Sequence, residues 1–349
     1  MNTSVLSSLN AGLLRAMQKD EHVYLLGEDI LDPYGGAFKV TKGCSSAFPE
    51  RVLAAPISEA GLAGVSAGMA LRGLRPVLEI MFGDFITLTA DQLINHISKF
   101  NWMYDHSVCL PMVIRAPMGG GRGYGPTHSQ TLEKLFIGIP GLTLIAPLNL
   151  TGKGGTQQPG ELLEEVILHT EEPVLFIENK LQYLLPVYQP QDLPELHWLV
   201  EQPVKNTLMK TPIYLVKVSG APAARVSLTA YGYMAELARQ AMLKLAYEDE
   251  IFVELVIPTR LAPFDITTLA DSIKRTGRLV TVEEGNLTGG WGAEVMARAL
   301  EEVGGRLRAA VRVAARDLPV AAAPSLENEI LPDVEDIVQA VRKVVGRNE

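Results

Sequence analysis

The stretch that decides the fold is residues 57–80, which read ISEAGLAGVSAGMALRGLRPVLEI. Its first part, Glu59–Arg72, carries apolar and small residues at helical spacing, whereas its last part, Arg75–Ile80, is a short and mostly apolar run. A helix followed at once by an apolar strand is typical of a parallel sheet that helices cover on both faces. We therefore predict an α/β fold with a mainly parallel sheet.

The same alternation extends in both directions from this stretch and defines a first domain, residues 1–185. Further short apolar runs predict strands, and the segments between them predict helices. The predicted strands are Val23–Gly27, Pro111–Ala116, Leu142–Ala146 and Pro173–Glu178, and the predicted helices lie near Ala90–Trp102, Gln130–Phe136 and Glu161–His169.

Residues 186–204, PVYQPQDLPELHWLVEQPV, are dense in proline and lack periodicity, so we interpret them as a linker. A second alternation follows and predicts a second α/β domain, residues 205–349. Its predicted strands are Arg225–Thr229, Ile251–Ile257 and Arg278–Glu283, and its predicted helices are Met234–Ala246, Ile266–Thr276, Gly292–Val303 and Val334–Val345.

Composition limits the class of protein. With 349 residues, 47% of them apolar and 20% charged, the chain suits a soluble two-domain protein. The net charge of -9 argues against a general nucleic-acid-binding surface, and no uncharged apolar run approaches the roughly 18 residues of a membrane-spanning helix. Cys44 and Cys109 belong to no CxxC or Cys/His cluster, so we expect reduced thiols packed inside a cytoplasmic protein.

Residues 119–125, GGGRGYG, form a glycine-rich run that matches neither a dinucleotide-binding fingerprint nor a P-loop. One interpretation is a flexible loop with glycines in the left-handed conformation. The other is a ligand-binding loop, because the run leads from a strand end to His128 and ligands of open α/β sheets bind at strand ends. We expect His128 just before the helix Gln130–Phe136. The positive end of that helix dipole would favour a neutral imidazole that can accept and donate protons near pH 7. A purely structural histidine is the alternative.

Glu59 begins the helix of residues 59–72, and Ser58 precedes it as a candidate cap. Glu59 either stabilises the helix dipole or is a carboxylate in a dry interface that acts as an acid or base. Glycines inside a helix cost about 1 kcal/mol each relative to alanine, so a second helix is expected to approach the small residues at four-residue spacing. These are Ala60, Gly64 and Gly68.

Two other strand ends carry candidate site residues. Glu28 and Asp29 follow the predicted strand Val23–Gly27, where a polar pair forms either a turn or part of a site. Residues 81–85, MFGDF, follow the strand Arg75–Ile80 and supply apolar groups that belong either to the core or to the wall of a flat heteroaromatic ligand.

Taken together, these segments resemble the beta subunits of the thiamine-diphosphate-dependent first component of 2-oxo acid dehydrogenases, which decarboxylates the substrate in the pyruvate, branched-chain and acetoin complexes. The resemblance covers nearly the whole chain. The motifs that carry it include GED (27–29), residues 51–85, GPTHSQTLEKLF (125–136), PVLFIENKLQY (173–183), VTVEEGNLTGGWGAEV (280–295) and ARDLPVAAAPSLE (315–327).

The resemblance implies a thiamine-diphosphate pyrimidine-type domain followed by a transketolase C-terminal-like domain, and it assigns roles to residues. Glu59 matches the glutamate that contacts N1′ of the cofactor aminopyrimidine and promotes the imino tautomer. His128 matches the histidine that assists proton handling and acyl transfer. The remaining matches lie around the aminopyrimidine: Ile57, Met81 and Phe85 as its apolar surroundings, and Glu28 in the nearby hydrogen-bond network.

The resemblance also implies partners. The cofactor lies between chains, and an alpha subunit holds its pyrophosphate and Mg²⁺ through a GDG…N motif that this chain lacks, so no metal ligands are predicted here. An alpha2beta2 enzyme that decarboxylates a small 2-oxo acid and passes the acyl group to a lipoyl acyltransferase is the expected function.

Two segments depart from the family pattern and leave alternatives open. Residues 148–160, LNLTGKGGTQQPG, replace a short linker, and residues 169–172 differ from a loop that binds a monovalent cation in some members, so we do not transfer that ion site. The first alternative is half of a split transketolase-like carboligase that transfers a ketol or acyl unit, with Arg122 available for a phosphorylated acceptor. The second is a scaffold that only dimerises.

Overall fold

The computed structural model describes residues 3–202 and 209–346, which form two α/β domains. The strands of the described residues are β1 Val23–Gly27, β2 Val52–Ala54, β3 Arg75–Glu79, β4 Val113–Met118, β5 Thr143–Ile145, β6 Val174–Asn179, β7 Leu196–Glu201, β8 Ile213–Val218, β9 Val226–Ala230, β10 Val253–Pro258, β11 Arg260–Ala262, β12 Arg278–Asn286 and β13 Ala309–Ala315.

Helices connect and cover these strands. They are α1 Val5–Lys19, α2 Cys44–Ala47, α3 Glu59–Leu71, α4 Phe100–Met103, α5 Pro159–His169, α6 Gly232–Glu248, α7 Thr267–Thr276, α8 Trp291–Val303, α9 Pro324–Ile330 and α10 Val334–Gly346. None of the helices in the described ranges combines the length and apolar character needed to cross a bilayer.

The first sheet has the order β11-β5-β6-β4-β3-β1-β2, and its neighbours are parallel except for the β11–β5 pair. Successive residues of its central strands are buried on opposite faces. In β3, Val77 packs in the core that contains α1 and α5, whereas Leu78 packs in the core that contains α3. This confirms the predicted parallel sheet with helices on both faces.

The second sheet has the order β13-β12-β9-β10-β8-β7, with parallel pairing among β13, β12, β9 and β10 and antiparallel pairing at β8 and β7. The two domains share a core, because Tyr231 and Trp291 of the second domain lie in the same apolar cluster as Leu144 and Leu175 of the first. Strand β11 also crosses over and pairs with β5.

Three local predictions are wrong. The segment Gln130–Phe136 contains only a 3₁₀ turn at Glu133–Leu135, because its polar groups make tertiary contacts instead of helical hydrogen bonds. The predicted linker contains strand β7, in which buried Leu196 and Trp198 alternate with exposed neighbours. Cys109 is exposed, whereas Cys44 is buried as expected.

One other stretch differs in detail. The predicted helix Ala90–Trp102 is divided into a wider π-helical turn at Gln92–Ile97 and the short helix α4. The last two residues of the predicted linker, Pro203 and Val204, lie outside the described residues.

Candidate functional site

The candidate residues gather at one edge of the first sheet, where β6, β4, β3 and β1 lie side by side and end. Gly27 of β1 pairs with Glu79 of β3, and Met118 of β4 pairs with Asn179 of β6. The segments that follow these paired ends therefore emerge together. Ligands of open α/β sheets bind outside such carboxyl ends.

One group at this edge consists of Glu28, Ser58 and Glu59. The main-chain N–H of Ser58 donates to Oε1 of Glu28 at 3.1 Å, and both carboxyl groups are buried. Burial and the neighbouring Glu59 carboxylate raise the pKa of Glu28. Ser58 occupies the N-cap position of α3 but makes no side-chain capping hydrogen bond, which contradicts its predicted role. Two adjacent buried carboxyl groups, one of them a weakened acid, can hold and exchange a proton.

Ile57 and one face of α3, which adjoin this group, are exposed in the described part of the chain. The Ile57 side chain is 82% exposed although it is apolar. The expected close approach of a helix to α3 is not made within the described residues, because a Cβ added at Gly64 or Gly68 would meet no atom within 4 Å beyond its chain neighbours and the backbone of α3. This face of α3 is a surface of the chain.

The second group surrounds His128. Its half-buried imidazole lies edge-on to Phe82 and Phe85, with ring centroids 4.8 and 5.3 Å apart. Its Nδ1 lies 2.9 Å from the Thr127 hydroxyl oxygen. Because no helix follows, the helix-dipole argument for His128 was wrong, and aromatic contacts fix the ring instead. Met81 is half-buried two residues beyond the end of β3, at the same edge.

Two polar side chains hold the main chain on either side of His128. Asp84 Oδ1 accepts from the main-chain N–H of Gln130 at 3.2 Å and from its side-chain amide at 3.0 Å. Lys180 Nζ donates to the His128 carbonyl oxygen at 2.5 Å. Lys180 is fully buried, and burial lowers its pKa to about 8. Sequence reasoning did not single out Lys180, although its place two residues after the predicted strand Pro173–Glu178 and inside a quoted motif was the available signal.

The glycine-rich run is held by carboxylates from the second domain. Oε1 of Glu284 accepts from the Gly120 N–H at 2.6 Å, and the two carboxylate oxygens of Glu327 accept from the N–H groups of Gly121 and Gly123 at 2.8 and 3.0 Å. Gly121 has a left-handed φ of +78°, and a Cβ there would lie 2.7 Å from Leu181. The second domain therefore shapes the loop that leads to His128. Both glutamates lie in quoted motifs, but nothing in the motifs indicates this contact.

A buried ion cluster lies beneath the same edge. Arg115 on β4 donates to Glu178 on β6 at 2.7 and 2.8 Å and to Glu79 on β3 at 2.5 Å. The Tyr183 hydroxyl adds a hydrogen bond to Glu178 at 2.5 Å. This strand cluster (Glu79, Arg115, Glu178 and Tyr183) fixes three of the strands that end at the site.

A second set of buried carboxyl groups lies at the contact between the domains. Glu133 accepts from the Tyr231 hydroxyl at 2.6 Å, and Glu283 accepts from the Gly292 N–H at 2.9 Å. The other carboxyl oxygen of each has no partner among the described residues. Burial raises the pKa of Glu133, and burial with the nearby Glu133 charge raises the pKa of Glu283 to about 8. We call this set (Glu133, Tyr231 and Glu283) the interface cluster.

In residues 3–202 and 209–346, no group of three or more His, Cys, Asp or Glu side chains is placed to hold a metal ion. The edge of the sheet therefore offers this chain's own proton-exchanging groups and an apolar wall.

Comparison with known proteins assigns both domains. Residues 3–184 match the family profile described as transketolase, pyrimidine binding domain, and residues 217–337 match transketolase, C-terminal domain. The chain is 34% identical over 346 residues to the mitochondrial pyruvate dehydrogenase E1 component subunit beta-2 of Oryza sativa subsp. japonica, covering 99% of this chain and 86% of that protein. It is 31% identical over 346 residues to the pyruvate dehydrogenase E1 component subunit beta of Rickettsia conorii, covering 99% of this chain and 98% of that protein.

Among solved structures, the fold is similar to that of a split-gene transketolase described as an inactive beta4 tetramer. The TM-score is 0.72 at 22% sequence identity, with 99% of both chains covered. This likeness concerns the fold.

Proposed function

The chain belongs to the family of beta subunits of the thiamine-diphosphate-dependent 2-oxo acid dehydrogenase first component, and from this premise we propose that it decarboxylates a 2-oxo acid together with an alpha subunit and passes the acyl group to a lipoyl group. The observation that carries the proposal is the placement of Glu59 and His128, with Phe85 beside the histidine, at one edge of the sheet. Membership of the chain in this family supports the proposal.

The residues present fit an aminopyrimidine ring. Such a ring needs a carboxylate at its edge and apolar atoms on its faces. Glu59 is a buried carboxylate at this edge, and Ile57 presents an apolar side chain that is 82% exposed in this chain. Half-buried Met81 and Phe85 follow the neighbouring strand. The exposed side of Ile57 suits a ring whose other contacts come from a second chain.

We assign the roles as follows. Glu59 would hold the proton at the aminopyrimidine N1′, and Glu28, whose pKa is raised, would keep a proton in the same hydrogen-bond network. Ile57, Met81 and Phe85 would orient the ring and exclude water. His128 would donate and accept protons at the rim, where the acyl group leaves. Thiamine diphosphate, when bound, supplies the nucleophilic carbon and the electron sink for decarboxylation.

The proposed enzyme is an alpha2beta2 assembly. The open side of Ile57 and the unpartnered face of α3 support a partner chain at the site. The alpha subunit would hold Mg²⁺ and the pyrophosphate, and a lipoyl acyltransferase would receive the product. We place the enzyme in the cytoplasm, where its free thiols Cys44 and Cys109 would stay reduced.

Glu59→Gln tests the first assignment. The chain is co-expressed with its alpha partner, titrated with thiamine diphosphate and assayed for dye-linked decarboxylation of a panel of 2-oxo acids. Loss of a proton-exchanging carboxyl group should lower turnover by about 10²–10⁴-fold while the assembly stays intact. Glu164→Gln, at a buried carboxylate of α5 that pairs with Arg15 and Lys19, is the control. Normal turnover of the Glu59 variant would contradict the assignment.

His128→Ala separates the two half-reactions. Acyl transfer to a lipoyl domain should fall by about 10²-fold or more, whereas decarboxylation with an artificial electron acceptor should fall less. The exposed histidine variant His96→Ala serves as the control. Equal loss of both steps in single-turnover measurements would overturn the role of His128, and cofactor binding without any decarboxylation in the unmodified enzyme would favour a carboligase.

A further inference from the structure

Lys180 is buried in a way that an ordinary structural lysine is not. Its side chain has 0% exposure. No carboxylate oxygen in the described part of the chain lies within ion-pair distance of Nζ, in contrast to the partners of Lys19, Lys217 and Lys244. Its hydrogen-bond acceptor in that part is the carbonyl oxygen of His128.

This arrangement is unfavourable for folding by itself. Transfer of an ammonium group from water to the interior disfavours the charged form unless an anion compensates it. The charges of Asp84, Glu284 and Glu327 raise the pKa of Lys180, and the charge of Arg122 lowers it. Burial also lowers the pKa and is the largest of these effects. An apolar side chain would satisfy the packing at lower cost, so packing alone does not account for a lysine here. Buried, perturbed groups of this kind cluster at functional sites.

The position of the ammonium group indicates what it does. Nζ lies 5.5 Å from the centroid of the Phe82 ring, and the imidazole of His128 packs edge-on against the same ring. The hydrogen bond of Lys180 reaches the main chain of His128 and not its ring. Lys180 and Phe82 therefore restrain the same residue, one through its backbone and the other through its side chain.

We propose that Lys180 is a positioning residue, whose ammonium group fixes the His128 carbonyl and thereby the direction in which the imidazole points. The inference rests on the proposed function, because the benefit of a fixed imidazole is proton and acyl transfer at His128. Misplacement of a reacting group by about 1 Å costs on the order of 100-fold in rate.

The first test uses the assembled alpha–beta enzyme. Lys180→Met should lower acyl transfer to a lipoyl domain by about 100-fold and lower dye-linked decarboxylation less, as loss of His128 itself would. Lys134→Met is the matched control, because Lys134 also donates to a main-chain carbonyl, that of Thr288 at 2.9 Å, but outside the site. Activity of Lys180→Met equal to that of the control would overturn the proposal.

The second test does not depend on activity. In the same assembly, diethyl pyrocarbonate modification of each histidine is followed by peptide mass spectrometry. Lys180→Met should speed modification of His128 several-fold and leave exposed His96 unchanged. An unchanged rate at His128 would overturn the restraint. If the unmodified enzyme decarboxylates no 2-oxo acid, the proposed function fails, and the modification rate still decides whether Lys180 restrains His128.

A stability measurement excludes a merely structural role. Removal of the buried ammonium group should raise the urea midpoint at pH 7, because the unmodified chain must bury a group that prefers to be charged in water. The pKa of Lys180 is lowered to about 8 in the folded chain. As the pH rises above 8, the folded unmodified chain releases this proton and no longer buries a charge, so the stability advantage of Lys180→Met should shrink, and it should disappear above the ordinary pKa of lysine. A lysine that only supports the core would instead give a lower midpoint at every pH, which would contradict the proposal.

Discussion

The strand cluster and the interface cluster both bury two glutamates, but they compensate the negative charge by different means. In the strand cluster, Arg115 makes two hydrogen bonds to Glu178 and one to Glu79. In the interface cluster no cation lies within ion-pair distance of Glu133 or Glu283 among the described residues, and one oxygen of each is unpartnered. Burial accordingly raises the pKa of Glu283 to about 8.

The difference follows from position in the sheet. Arg115 lies on β4 between β3 and β6, so register places a carboxylate on each neighbouring strand within its reach. A guanidinium stays charged at every pH at which proteins fold. The interface cluster instead joins separate domains and relies on protons. The strand cluster therefore keeps a compensating cation at every pH, although burial also raises the pKa of Glu79, whereas the interface cluster has no such cation among the described residues and should respond to pH.

Arg115→Met should produce the largest effect. It leaves Glu79 and Glu178 buried without a cation, which typically costs about 3–5 kcal/mol of unfolding free energy. The measurement is the midpoint of urea unfolding. The exposed ion pair Arg316–Glu329 provides the control, since Arg316→Met should change the free energy by less than about 1 kcal/mol. Equal midpoints for Arg115→Met and Arg316→Met would show that the buried cation of the strand cluster stabilises the fold no more than an exposed ion pair does.

Glu283→Gln should have a pH-dependent effect. The native-state pKa is raised from 4.5 to about 8, so the folded chain holds a proton that the unfolded chain has released. The unfolding free energy of the unmodified chain should therefore fall as pH rises from about 4.5 to about 8, and the glutamine variant should lack this component. Near pH 8 the variant should be more stable by about 4 kcal/mol, because each unit of pKa difference corresponds to about 1.36 kcal/mol, and the difference should be smaller at pH 5. Parallel stability curves for the two chains would show that Glu283 is not protonated in the folded state.

A matched pair of tyrosine variants should give the smallest effects. Tyr183→Phe removes a donor to the Glu178 carboxylate, and Tyr231→Phe removes a donor to Glu133. Hydrogen bonds to charged groups contribute about 1.5–3 kcal/mol and ordinary ones about 1 kcal/mol, so Tyr183→Phe should cost more at pH 7. Urea midpoints of both variants check the order. A larger loss from Tyr231→Phe would mean that Glu133 is ionised in the folded chain.

The central strands were predictable because each is buried on both faces. Val77 and Leu78 of β3 pack in the cores on opposite faces of the sheet, so both are apolar. A continuous apolar run in the sequence therefore indicates such a strand. The position of the candidate site at the ends of these strands was predictable from the same runs. Glu28 and Glu59 follow or head predicted elements, and the structure places both in one buried group.

The missed features depend on tertiary contacts that no local pattern records. The main-chain N–H of Gln130 donates to Asp84, and its carbonyl oxygen accepts from the Gly119 N–H, so the segment Gln130–Phe136 turns without becoming an α-helix. In β7, the alternation of Leu196 and Trp198 with exposed residues was present but was obscured by nearby prolines. The contacts of Lys180 with His128 and of Glu327 with the glycine-rich run join residues far apart in sequence.

The hold of Glu284 and Glu327 on the glycine-rich run has a mechanical consequence. Three hydrogen bonds, at Gly120, Gly121 and Gly123, attach the second domain to the backbone that leads to His128. Because the second domain also contributes β11 to the first sheet, a small rotation of that domain would act on the glycine-rich run and on the β5 edge of the sheet together. The second domain, which carries no proposed catalytic residue, can thus shift the loop that leads to His128.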